Sequence, residues 1–171
     1  VLCFAYGSNM STQRLAARIP ARFVTTALLP AYRLAFHQQG GDGSGKCDIV
    51  TASEQSAVYG VVWEVASHHK VTLDRYEGLN AAYDETWLTV TDLVGDGQFE
   101  VQAYVGKLTA TGMQPYTWYK HHVLAGAREH GLPTAYVRAL EQIDAQIDPD
   151  TERHAREMVL HGLDVPLVRG A

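Results

Sequence analysis

Val1-Leu2-Cys3-Phe4-Ala5-Tyr6-Gly7-Ser8-Asn9 decides how this chain is read. The first six residues form an apolar run of strand character, and Gly7-Ser8-Asn9 breaks it. Ser11 then begins a helical pattern. A strand that stops, turns and feeds a helix leaves several backbone N–H groups without ladder partners. Such groups can converge into a nest for a negative or partly negative oxygen. Gly7 permits the tight turn and the close approach of a ligand, while Ser8 and Asn9 add short side chains that donate or cap locally. Taken alone, these residues also fit an ordinary strand-to-helix turn. A functional reading needs a second feature, and Leu73-Asp74-Arg75-Tyr76-Glu77-Gly78 supplies it.

The 171 residues are enough for one domain with an adequate core, and 46% of them are hydrophobic, as in globular chains. The domain is read as 1–171, with 147–171 a C-terminal helix and tail. A net charge of -5 without any Lys/Arg cluster argues against nucleic acid as a partner. No apolar run approaches the ~20 residues of a membrane span. No signal peptide is visible, and the start without Met leaves a trimmed N-terminus open. The two cysteines, Cys3 and Cys47, have no spacing that forces a pair, so the expectation is a reducing, cytoplasmic setting.

The rest of the chain reads as short strands first and helices later. Ser11 to Ile19 is a short helix, with Ser11 as N-cap, Pro20 as stop and Leu15 and Ile19 facing the core. Arg14 and Arg18 fall on another face, expected to be solvated. Arg22–Leu28 and Tyr32–Phe36 read as strands, His37 to Asp48 as a loop, and Ile49–Ala52 as a short strand. Val58 to Val65 carries the strongest strand signal. Ser67 is expected to cap a helix that Gly78 stops. Tyr83–Asp92 and Phe99–Val105 flank a Gly95-Asp96-Gly97 hairpin signal. Pro115, Pro133 and Pro149 each open a further helix, and Asp164 to Ala171 reads as a loose tail. Regular βαβ alternation is missing. The pattern fits an α+β fold, a small mixed or antiparallel β-barrel flanked by α-helices.

Several motifs invite chemistry that their details oppose. Gly40 to Cys47 nearly spells a phosphate-binding loop, but Cys47 stands where the magnesium-binding hydroxyl belongs, and a strand pattern follows instead of a helix. A mobile loop over a site is the alternative. The eight histidines include the adjacent pairs His68-His69 and His121-His122, with no His-Glu-x-x-His. His154 and His161 have no evident third ligand, so the histidines are expected on the surface, with no metal. Ser8 lacks the Gly-x-Ser-x-Gly context of a nucleophile elbow, and Cys3 lies in an apolar strand that disfavours a thiolate.

Glu77 is different. It ends the helix that starts at Ser67, where a carboxylate meets the negative end of the macrodipole. If it is also buried, both effects raise its pKa, which suits a group that exchanges protons near neutrality. A solvated glutamate in a fraying last turn is the alternative.

Phe4-Ala5-Tyr6-Gly7-Ser8-Asn9, Tyr59-Gly60-Val61-Val62-Trp63, and Leu73 to Gly78 followed by Tyr83 together resemble the gamma-glutamylcyclotransferase family. Tyr119-Lys120, Gly126-Ala127-Arg128-Glu129, Gly131-Leu132-Pro133 and Tyr136 resemble its helical part, and the match extends to about Ile143. The resemblance implies a mixed-strand barrel flanked by helices. It also implies cofactor-independent, metal-free cyclisation of a gamma-glutamyl group to 5-oxoproline with release of an amino acid. It places the catalytic acid/base on Glu77. It places substrate binding on Cys3, Phe4, Ala5, Tyr6, Gly7, Ser8 and Asn9, largely through backbone, with Tyr136 contributing a hydroxyl and Tyr83 nearby. The implied partner is a small gamma-glutamyl compound, with no nucleic acid or membrane and a homodimer left open. Cys3 stands where an aromatic residue is common in the family, and Met10 where leucine is usual. Alternatives in the same pocket are an amide hydrolase, a gamma-glutamylamine cyclotransferase and a non-catalytic gamma-glutamyl-binding module.

Overall fold

The computed structural model describes residues 1–162. Five strands close into a barrel in the order β1-β5-β2-β6-β7, and β3 and β4 form a separate two-stranded sheet. The strands are β1 (Leu2–Ala5), β2 (Arg22–Pro30), β3 (Tyr32–Gln39), β4 (Gly45–Thr51), β5 (Ala57–Glu64), β6 (Tyr83–Asp92) and β7 (Gln98–Gly106). The helices are α1 (Thr12–Ala16), α2 (Ser67–Glu77), α3 (Thr117–Glu129), α4 (Thr134–Glu141) and α5 (Thr151–Val159). The expected α+β barrel is therefore the observed architecture. The tail read over Asp164 to Ala171 lies outside the described residues.

β1 is the hinge of the topology. It runs antiparallel to β5, with Leu2 opposite Glu64 and Ala5 opposite Val61, and parallel to β7 through Cys3 and Gln102. Paired on both sides, it reads as the near-continuous apolar run that such burial requires. Val58, Val61 and Val62 of β5 and Val90 and Val101 of β6 and β7 are fully buried and fill the barrel.

Two boundaries differ from expectation. Most of the stretch from His37 to Asp48 is strand, and only residues 40–44 form the turn between β3 and β4. The glycine-rich composition hid a ladder that pairs Gln38 with Lys46 and Gln39 with Gly45. The hairpin docks on the end of β7 and the segment that follows it: Gly106 N donates to Asp48 Oδ1 (2.7 Å) and Leu108 N to Gln38 Oε1 (3.1 Å). Ser67 is the first helical residue of α2 instead of its cap; the cap position is Ala66, without a side-chain hydrogen bond. By contrast Ser11 caps α1 by accepting from Arg14 N, and Gly78 ends α2 in the left-handed conformation.

α3 packs against the first loop by direct backbone approach. A Cβ at Gly126 would stand 2.4 Å from Met10 C and Ser11 N. Met10 and Val123 are fully buried at this junction, so α3 sets the depth of the turn that precedes α1.

Candidate active site

β1 ends at Ala5, and Ser8–Met10 forms a single 3-10 turn. Within it Met10 N donates to Gly7 O (3.0 Å) and Ser11 N to Ser8 O (3.2 Å). Among the described residues, the N–H groups of Gly7, Ser8 and Asn9 donate to no protein acceptor. The nest read from the sequence is therefore three consecutive unspent donors. Trp63 Nε1 donates to Asn9 O (3.0 Å) and fixes the turn from the β5 side. A Cβ at Gly7 would lie 3.0 Å from Cys47 Cβ and 3.1 Å from the Tyr119 hydroxyl, so glycine lets the turn sit against β4 and α3.

Glu77 faces the same cavity. Cys3 through Asn9, Glu77 and Tyr83 all line it, together with Tyr104 and Tyr119. The Glu77 side chain is only 16% exposed, which removes the reading of a solvated last turn. Its Oε1 accepts from Arg18 Nη1 (2.7 Å) and Asn9 Nδ2 (2.9 Å), and Arg18 Nη1 also donates to Asn9 Oδ1 (2.8 Å). Glu77 Oε2 accepts no hydrogen bond among the described residues. One carboxylate oxygen is anchored and the other is available. The Arg18 charge offsets the unfavourable placement of an anion at the α2 C-terminus.

Arg14 and Arg18 are thus not on a solvated face. Their side chains are 13% and 14% exposed, paired with Glu157 and Glu77 respectively. The partners lie far away in sequence, and no local spacing announces them.

The opposite wall is built on the backbone of Cys47. Its N–H donates to the Tyr119 hydroxyl (3.1 Å), and its carbonyl accepts from the Tyr83 hydroxyl (3.3 Å). Burial pushes the Tyr119 and Tyr83 phenols well above their ordinary value, so both act as neutral hydrogen-bonding groups. Tyr6 is buried in the same way, and its hydroxyl donates to the Tyr104 carbonyl.

Tyr136 does not join them. Its ring packs on Tyr59 with centroids 4.9 Å apart, and its buried hydroxyl has no hydrogen-bond partner among the described residues. The tyrosine that reaches the cavity from the helical region is Tyr119. Tyr119, Val123 and Gly126 follow the i, i+4, i+7 spacing of one helix face, and that face meets the first loop. This periodicity is the signal that separates Tyr119 from Tyr136.

Both cysteines are free and buried, and burial pushes Cys3 up to about 11 and Cys47 up to about 12. Neither is poised as a thiolate nucleophile. The expectation of surface histidines fails for His122, which is fully buried; its Nε2 meets Glu157 (2.9 Å) and its Nδ1 meets His161 (2.6 Å). Among the described residues, no group of three or more His, Cys, Asp or Glu is arranged to hold a metal ion.

Known proteins resemble this chain in sequence and fold. The AIG2-like family profile matches residues 57–140. A solved structure described as gamma-glutamyl cyclotransferase superposes with a TM-score of 0.81 at 25% identity, covering 95% of this chain and 98% of that one. The human gamma-glutamylcyclotransferase is 31% identical over 149 residues, 84% of this chain and 78% of its own length. The bovine gamma-glutamylcyclotransferase is 32% identical over 150 residues, again 84% of this chain and 78% of its own length. With relatives at that identity over most of their length, and a barrel of the same shape, the chain belongs to the gamma-glutamylcyclotransferase family.

Proposed function

We propose that this protein cyclises the gamma-glutamyl group of a gamma-glutamyl amino acid or peptide, forming 5-oxoproline and releasing the free amine. The observation that carries the reading is the placement of an available Glu77 oxygen and three unspent backbone donors on one cavity. Cyclisation requires a base, an oxyanion site and a bent substrate, and nothing else.

The substrate α-amine arrives as an ammonium. Glu77 Oε2 accepts one proton, and the freed nitrogen lone pair attacks the γ-carbonyl carbon within the same molecule. The carbonyl oxygen becomes an oxyanion held by the N–H groups of the Gly7–Asn9 turn. As the tetrahedral intermediate collapses, the bond to the departing nitrogen breaks and Glu77 returns the proton to it; Glu77 then takes the second proton from the ring nitrogen and passes it to the departing amine, which leaves as an ammonium. No water and no protein nucleophile enter. Holding the chain bent supplies the advantage of an intramolecular reaction, roughly 7–11 kcal/mol in well-oriented cases. Arg18 and Asn9 act on Glu77, fixing its anchored oxygen so that the other faces the substrate. Tyr119 and Tyr83 close the wall opposite, both held on Cys47.

The test is Glu77→Gln, which keeps the hydrogen bond from Asn9 and removes the base. It is expected to fold, to bind gamma-glutamyl ligands, and to lose turnover about 10²-fold or more. Release of glutamate in place of 5-oxoproline by the unmodified protein would replace cyclisation with hydrolysis.

A further inference from the structure

A second opening adjoins the cavity and shares Ser8, Glu77, Tyr83 and Tyr119 with it. Its outer wall carries Arg14, Lys46 and Trp118. Arg14 comes from α1, Lys46 from β4, and both lie against the Trp118 ring, at 5.8 Å and 4.6 Å from its centroid. Lys46 also sits 4.7 Å from the Tyr119 ring centroid.

Away from Glu77, the side-chain hydrogen-bonding capacity left over around Trp118 is on the donor side. Lys46 Nζ gives two of its three N–H bonds, to Asp42 Oδ2 (2.7 Å) and Ser44 Oγ (2.8 Å). Arg14 gives Nη1 to Glu157, and its Nη2 donates to nothing among the described residues. Asp42, the anion beside Lys46, is already engaged at both oxygens, by Ser44 and by Lys46. Arg18 gives Nη1 to both Glu77 and Asn9 and lies over Tyr76, 5.3 Å from its ring centroid, not over Trp118. Two cations with unspent donors therefore share one aromatic platform, directly beside the cavity.

Burial pulls the Lys46 ammonium below its ordinary value, with the charges of Arg14 and Arg153 acting in the same direction against Asp42. An anion entering between Lys46 and Arg14 relieves that repulsion.

Resting on the cyclisation proposed above, we infer that Lys46 and Arg14 form an anion subsite that reads the carboxylate of the departing amino acid. When the γ-carbonyl lies between Glu77 and the Gly7–Asn9 turn, the departing nitrogen leaves through the wall shared with the groove. A carboxylate one carbon from that nitrogen then meets the unspent donors of Lys46 and Arg14. A departing amine without a carboxylate gains nothing there. Lys46 and Arg14 are specificity-determining residues and take no part in the proton transfers.

The experiment compares gamma-glutamylalanine with gamma-glutamylethylamide, which differ by the carboxylate alone. Production of 5-oxoproline is followed for the unmodified protein, Lys46→Met and Lys46→Arg, with melting temperatures as a folding check. The unmodified protein is expected to favour gamma-glutamylalanine in kcat/KM by at least tenfold, the size of one charge-assisted hydrogen bond. Lys46→Met is expected to collapse that ratio at least tenfold, and Lys46→Arg to retain most of it. Equal kcat/KM for the two compounds in the unmodified protein overturns the subsite and leaves cyclisation standing. So does an equal loss on both compounds in Lys46→Met. Failure to form 5-oxoproline from either compound overturns the cyclisation reading, and the subsite with it.

Discussion

Replacing Gly126 with alanine tests whether α3 sets the geometry of the Gly7–Asn9 turn. The added Cβ would lie 2.4 Å from Met10 C and Ser11 N, both backbone atoms that cannot swing aside. Non-bonded carbons are comfortable at about 3.5–4.0 Å, so helix and turn must separate by about 1 Å. Overpacking of this kind costs about 3 kcal/mol at its upper range. Alanine returns about 1 kcal/mol through its better helix propensity. The net loss is about 2 kcal/mol, or a melting temperature lower by about 4–8 °C in a chain of this size. The same displacement moves the donors of Gly7, Ser8 and Asn9, and a 1 Å misplacement at a reacting centre costs about 10²-fold in rate. Thermal denaturation and 5-oxoproline release, measured on the same preparation, read both effects. A Gly126→Ala protein with unaltered melting and turnover refutes the packing argument. One that melts early but turns over normally shows that α3 does not position the turn.

Arg18→Met removes the cation from Glu77 Oε1 and is expected to lower kcat by about 10-fold to 10²-fold, with Arg18→Lys recovering part of the loss; steady-state kinetics on both variants decide it. Tyr119→Phe is expected to lower kcat/KM about tenfold, whereas Tyr136→Phe, whose hydroxyl has no partner among the described residues, should leave turnover alone and not lower the melting temperature. Stability is expected to fall on acidification. Burial pulls His122 down to about 4 against its hydrogen bond to Glu157, so the unfolded chain binds that proton first and stability drains from pH 6.5 to about 4. Burial opposes the Glu157 charge, but His122 and Arg14 outweigh it and hold the carboxyl down to about 2; its contribution is complete above pH 4.5 and is lost as pH falls from there toward 2. Melting temperatures across this range should decline, and His122→Asn should flatten the segment above pH 4.5.

The parts of the site carried by adjacent residues were legible in the sequence. The strand from Val1 to Tyr6, the break at Gly7-Ser8-Asn9 and the helix end at Glu77-Gly78 are local signals, and local backbone preferences set them. What long-range pairing decides was not legible. Arg14 and Arg18 look like solvated helix residues until Glu157 and Glu77 are brought to them across 143 and 59 positions. His122 is polar by composition and buried by its contacts with α5. The run from Gly40 to Gly45 resembles a loop because glycines weaken the strand signal, although its flanks pair with each other. Tyr136 and Tyr119 carry the same hydroxyl, and only the face each presents separates them.

β1 is gripped by neighbours on either side, β5 and β7, before the chain reaches the Gly7–Asn9 turn. The fold itself thereby holds the turn, so on the proposed cyclisation its ordering entropy is expended during folding, once, and not at every catalytic cycle. On the proposed cyclisation, product departure leaves the three donors in place for the next substrate. The parallel contact between Cys3 and Gln102 closes this ring, so a lesion that loosens that seam would blunt catalysis at temperatures where most of the fold survives.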